Sequence, residues 1–241
     1  LIDKGITNIE GLQKELDPLL SEEIRKDMAE FTQTWEQFLL VNKEVRSLAR
    51  ANTNTRAADL SAKSVRTSFE KAQKSIATLV DRLKARMAAN DDVTTLRATG
   101  IIQILAAEIQ LGLLEIQRDE KNLILVTTAE EMKAFEDKMS RTLSVIEGKI
   151  TELEKLVPET DQPIIAQFKR ELDSFITAHN EVIDLSKQNT NIKAFELASK
   201  QGSTLLVQAE KYLQAIINDA ENRMSADKDA SDISYTAARN V

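Results

Sequence analysis

The chain aligns with itself. Shifted by 137 positions, NIEGLQKELDPLL (8–20) lies on VIEGKITELEKLV (145–157), and EVRSLARANTNTRAADLSAK (44–63) lies on EVIDLSKQNTNIKAFELASK (181–200). Between 7–90 and 144–227, 25 of 84 positions are identical without a gap, including Arg86-Met87 on Arg223-Met224. Helical periodicity alone superposes apolar positions, but it does not superpose Asn-Thr-Asn or Ile-Glu-Gly. The chain is therefore a duplication, and whatever one copy folds into, the other must fold into as well. The duplication is incomplete, because the counterpart of 98–137 falls before Leu1. The expected organisation is a first unit over 1–90 holding helices two to four, and a second over 91–241 holding all four. The uncovered stripe of the first unit needs a helix from upstream chain, a symmetry partner or rearranged packing. Leu1 in place of Met reads as the start of an excised piece of a longer protein.

Six Gly and three Pro in 241 residues leave little with which to build tight turns or a sheet. A chain so poor in both, and rich in Ala, Leu, Glu, Lys and Gln, is expected to be all-α, with antiparallel four-helix bundles in tandem, stacked or nested. A net charge of −7 and the absence of a Lys/Arg stripe interleaved with aromatics argue against nucleic acid as a partner. Zero cysteines exclude disulfides and thiolate metal sites. No apolar run approaching the ~20 residues of a membrane span is found, and no signal peptide opens the chain.

Helix punctuation is legible from Asp91-Asp92 onward. Those two acids cap a helix reaching about Val126, with Ile101, Leu105, Ile109, Leu113 and Ile116 along one stripe. Thr127 and Thr128 stand three residues before Glu130 and Glu131, two overlapping capping boxes. The next helix carries Phe135, Met139, Leu143, Ile146, Ile150 and Leu153 and stops before Pro158. Asp161 and Pro163 open a third with Phe168, Leu172, Phe175, Val182 and Leu185. Asn189-Thr190-Asn191 closes it, and a last helix follows through Leu197, Leu205, Tyr212 and Ile216.

Within the first of these helices, RDEKN (118–122) sets five polar residues in a row. Five consecutive helical residues cover every face, including the one that faces the core. Leu111, Leu114 and Leu125 form one stripe, Ile109, Leu113, Ile116 and Leu123 another, and both are broken at this turn. A cation pair there, Arg118 and Lys121 beside Asn122, suits a carboxylate held by charge-assisted hydrogen bonds. Antiparallel packing within the second unit is expected to bring Ser199, Lys200 and Thr204 to the same level, as hydroxyl and ammonium partners. The competing reading is that Arg118, Asp119, Glu120 and Lys121 pair among themselves and with neighbouring helices near a solvated bundle end.

His179 is the single histidine, so a histidine metal cluster is excluded; it aligns with Asn42 and is expected at the surface or at a pocket rim. Trp35 aligns with Leu172 and reads as a core anchor. The two Asn-Thr-Asn turns read as helix stops and caps, and the acid pairs at helix starts as caps favoured by the helix dipole. Gly202 inside the last helix points to close helix approach or space for a ligand. No glycine-rich phosphate loop, nucleophile elbow or cofactor motif is present, so the chain reads as a non-enzyme without a cofactor.

RDEKNLIL (118–125) followed by TTAEEM (127–132) resembles the end of the first helix in four-helix-bundle sensor regions of bacterial methyl-accepting chemotaxis receptors. LSKQNTNIKAFELA (185–198) resembles the turn between that family's third and fourth helices, and a tandem of two such units is similar to the helical bimodular sensor domain. The resemblance implies a periplasmic, homodimeric sensor anchored in the membrane on both sides, taking a small carboxylate-bearing ligand and passing a helix shift across the membrane. It implies that Arg118 and Lys121 occupy an Arg-x-x-Arg ligand position, with Lys, a poorer planar clamp, in the second place. The alternatives are the sensor region of a histidine kinase, and a helical scaffold that binds partner proteins and no small molecule.

Overall fold

In the computed structural model, residues 2–16, 18, 20, 22–88 and 93–239 are described. They form nine α-helices: α1 (Ile2–Leu16), α2 (Glu22–Ala51), α3 (Thr53–Leu60), α4 (Arg66–Ala88), α5 (Val93–Leu125), α6 (Ala129–Leu156), α7 (Gln162–Gln188), α8 (Thr190–Leu197) and α9 (Ser203–Arg239). Two π-helical turns, Ser61–Val65 and Ala198–Gly202, join α3 to α4 and α8 to α9, and they sit at equivalent positions of the two repeats. Among the described residues there is no strand, so the all-α expectation holds. The cap expected from Asp91-Asp92 lies outside the described residues. Of the two capping boxes, Thr128–Glu131 forms: the Thr128 hydroxyl accepts from the Glu131 N–H at 3.3 Å and donates to Glu131 Oε2 at 2.7 Å.

Two compact units are present, 51–192 and the combination of 1–50 with 193–241. They divide the chain differently from the repeat boundary at residue 90. In the unit 51–192, α5, α6 and α7 are the first three helices of the second repeat. Their fourth partner is α3–α4, which is the last helix of the first repeat. The core runs through all four, with Phe69, Ile76, Leu79 and Leu83 on α4, Ile109, Leu113 and Ile116 on α5, Met139, Ile146 and Leu153 on α6, and Phe168, Phe175 and Val182 on α7. In the other unit, Ile24, Met28, Phe31 and Trp35 of α2 pack on Ala209 and Ile216 of α9, the last helix of the second repeat, and Ile6 and Ile9 of α1 join them. The repeats have exchanged their fourth helices. Trp35 is the buried anchor expected of it, stacked between Phe31 and Phe38.

The exchange is built at the two Asn-Thr-Asn turns. Asn52 and Asn189 both take the left-handed conformation, φ 47°, which ends α2 and α7 and which Asn tolerates better than most residues. Neither following helix is capped from within. Instead the Thr53 N–H donates to the Thr190 hydroxyl at 3.0 Å, and the Thr190 N–H donates to the Thr53 hydroxyl at 3.2 Å. Asn54 Nδ2 donates to Asn189 Oδ1 and Asn191 Nδ2 to Asn52 Oδ1, both at 2.8 Å. The turns are helix stops and caps, as the sequence suggests, but each caps the other repeat's helix. Thr53→Val and Thr190→Val are each expected to lower unfolding free energy by about 1 kcal/mol, the usual worth of a helix cap. The double variant should cost less than the sum, because the contact between the two hydroxyls is removed in both. Urea titrations of the three variants check this, and strict additivity would contradict it.

Leu96–Leu125 is long and apolar enough to cross a membrane by length and composition, with a mean hydropathy of 1.4, which corrects the sequence reading that no run approaches that length. In the bundle 44% of that window is buried inside the protein. Ile101, expected in the core stripe, is 42% exposed.

Candidate functional site

The RDEKN turn of α5 sends its acids in and its bases out. Asp119 and Glu120 are buried, while Arg118 and Lys121 are exposed and Asn122 is half-buried. A buried carboxylate needs hydrogen-bonding or charged partners, and both have them. Glu120 accepts from the Ser61 hydroxyl at 2.6 Å through Oε1, and its Oε2 lies 2.5 Å from His179 Nδ1. The His179 ring stacks on Phe175, centroids 5.8 Å apart. Asp119 takes Lys138 Nζ at 2.9 Å and Arg118 Nε at 3.2 Å. His179 is therefore buried, and the expectation of a surface or rim position is overturned: its imidazole is drawn inward by the acid facing it across the bundle.

The π turn at 61–65 aims the serine. The Arg66 N–H reaches the Ser61 carbonyl five residues back, and Ser61 is buried on the side facing α5. Such turns insert an extra residue into a helix and recur at functional places. Serine, glutamate and histidine do meet here, but the serine hydroxyl donates to the acid and not to the imidazole. The imidazole is not placed on that hydroxyl, so the node lacks the Ser–His–Asp order of hydrolytic triads. Among the described residues no cluster of acids and histidine is arranged to hold a metal ion.

Beside this node, Ala58, Ser61, Ala62 and Arg66 face Gln117, Lys121, Ile124 and Leu125 across a pocket of about 300 Å³. That is the lower end of the range for small-molecule sites. Two cations share its lining. Arg66 is bonded to the exposed Glu70 at 2.8 Å, and Lys121 pairs with no acid among the described residues.

Ser199, Lys200 and Thr204 belong to the other unit, so the structure does not bring them into one site with Arg118, Lys121 and Asn122 inside a bundle. Lys200 and Thr204 line a separate groove of about 620 Å³ with Gln37, Leu40 and Val41. Ser199 and Thr204 donate to the carbonyls of Glu196 and Lys200. The helix that meets α5 is the first repeat's fourth helix, which places Ala62, Lys63 and Thr67 at the equivalent positions. Subtracting 137 from the expected numbers finds that helix. Ser61 and Arg66 were missed because the exchange of helices was not legible.

The outward side of α5 carries a second pattern. Ile104, Leu111, Arg118 and Leu125 recur every seven residues, and Leu114 and Lys121 do the same three positions on; all six are exposed. Leu111 is 61% and Leu125 76% exposed. Of the two stripes read from the sequence, one is core and the other is open heptad surface, with Arg118 and Lys121 seated inside it.

A family model described as a four helix bundle sensory module for signal transduction matches residues 88–235, well over half of the chain. No curated protein matches. The matched stretch is the second repeat as a sequence unit, with the interrupted helix at its start and the last helix at its end.

Proposed function

We propose, from the premise that this chain belongs to the four-helix-bundle sensory modules for signal transduction of methyl-accepting chemotaxis proteins, that it is the extracytoplasmic ligand-binding region of a transmembrane receptor and that its ligand is a small organic acid or a similar anion. The family is a sensory module and not a known enzyme domain. The observation that carries the ligand class is the shared lining of Lys121 and Arg66 in a small pocket, with Arg118 one turn away on the same helix. Two cations at one pocket favour a carboxylate, and charge-assisted hydrogen bonds supply the strength.

The exposed heptad stripe supports a homodimer. Exposed apolar ridges on a surface helix mark interaction sites, and a second copy laid along this one would close Ile104, Leu111, Leu114 and Leu125 into a seam. The same contact would bring Arg118 and Lys121 of both copies together, a repulsion that an anion relieves. Ligand binding would thereby favour one register of the seam over another, by an amount limited to the difference in affinity for the two. The output is a shift of the last helix, 190–239, toward the membrane.

A thermal-shift screen of organic acids, amino acids and inorganic anions tests the reading. A ligand about tenfold above its Kd should raise Tm by roughly 3–6 °C. Lys121→Ala and Arg66→Ala should each abolish the rise. A screen in which no anion shifts Tm, or in which both variants respond like the parent, would sink it.

A further inference from the structure

Another cavity of the unit 51–192 lies along the groove between α4 and α7, with a volume of about 820 Å³. Lys71, Lys74, Thr78 and Arg82 line one wall, spaced so that all four stand on one face of α4. Pro163, Ile164 and Gln167 of α7 form the other.

The charges of this groove are poorly compensated. Lys71 and Lys74 pair with no acid among the described residues. Glu171, the one carboxylate in the lining, is already occupied by neutral donors: the Ser75 hydroxyl and Gln167 Nε2 each reach it at 2.5 Å. Arg82 lies 3.5 Å from Asp161, whose nearer partner is Arg86 at 2.9 Å, and the Arg82 side chain is 57% exposed. Its guanidinium thus keeps donors free for something else. Lys71 and Lys74 stand one turn apart and can grip a single anionic group together. Arg82 is eight residues beyond Lys74, about 12 Å along the helix at the usual rise. Between the two cationic ends lie the Thr78 hydroxyl and the apolar side chain of Ile164.

We propose that this groove binds an elongated dianion: a molecule with two carboxylates about 12 Å apart, one on Lys71 and Lys74 and one on Arg82, joined by an aliphatic or sugar backbone lying over Thr78 and Ile164. A short dicarboxylate cannot reach both ends and gains only one of the two charge-assisted contacts. The site is separate in residues and ligand length from the Lys121 and Arg66 pocket and does not depend on it.

Isothermal titration of the whole chain with sebacate, trigalacturonate methyl-esterified on its middle residue so that only the two outer carboxylates are charged, and succinate tests the proposal, the first two arms separating an aliphatic from a sugar backbone. The longer dianion that fits should bind at least about tenfold tighter than succinate, the worth of one added charge-assisted hydrogen bond. Lys71→Ala/Lys74→Ala, which breaks no ion pair among the described residues, should weaken it by about tenfold or more, while Lys121→Ala leaves it unchanged. Equal affinity for succinate, no binding by either long dianion, or loss of binding in Lys121→Ala in place of the lysine pair each overturns the proposal. Loss of binding in Lys121→Ala alone would assign the ligand to the anion pocket instead; the other outcomes leave the reading of that pocket untouched.

Discussion

Glu120→Ala is expected to lower the unfolding free energy by about 2–5 kcal/mol, because it leaves two buried polar groups without their acceptor at roughly 1–3 kcal/mol each. Glu120 is 0% exposed and joins three helices: its own α5, the π turn through Ser61, and α7 through His179. Alanine leaves the Ser61 hydroxyl and the His179 ring nitrogen facing an apolar void, and each orphaned group costs its desolvation. Glu120→Gln should cost much less, about 1–2 kcal/mol, because the amide still accepts from Ser61 and can donate to a neutral imidazole. Urea unfolding followed by far-ultraviolet circular dichroism reads both variants. Fluorescence is the wrong probe here, since the single tryptophan, Trp35, lies in the unit made of 1–50 and 193–241. A loss below about 1 kcal/mol for the alanine variant, no more than an ordinary hydrogen bond, would mean that the node does not hold the bundle together.

Phe175→Ala should be comparably severe, about 3–5 kcal/mol, as for other fully buried phenylalanines. The ring is 0% exposed, tilts against Phe69 at 6.1 Å and carries the His179 ring on its face. The duplication supplies the control. Phe38 is the equivalent residue of the first repeat, only half-buried and stacked on Trp35 at 5.2 Å. Phe38→Ala should therefore cost clearly less, although the chemical change is the same. Combined with Glu120→Ala, Phe175→Ala should be less than additive, by roughly 0.5–3 kcal/mol, since both deprive His179 of a neighbour. Equal losses for Phe38→Ala and Phe175→Ala would contradict the difference in burial.

Much of this architecture is legible in the amino-acid order. Scarce Gly and Pro announce helices, Pro158, Asn52 and Asn189 mark their ends, and the repeat announces that the same helices occur twice. What the sequence hides follows from that same repeat. Because 53–88 and 190–239 carry the same apolar stripe, either helix satisfies either bundle, and no pattern within one helix says which bundle it joins. The RDEKN interruption was legible as a place; the direction of its charges was not. Arginine and lysine have long stems that carry their charge outward over apolar surface. Aspartate and glutamate lack that reach, and these two turn inward because Lys138, Ser61 and His179 come to meet them from α6, the π turn and α7. Those partners lie 19 and 59 positions away in sequence, beyond any single-helix reading.

The exchanged helices also set an order of assembly as the chain leaves the ribosome. The unit 51–192 is continuous, and all of its core is available once Ile192 has emerged. The other unit cannot close at that moment, for Phe31 and Trp35 wait on Ala209 and Ile216, which are made last. Until then the apolar face of α2 is left without its partner on a growing chain, the kind of surface that holdase chaperones bind.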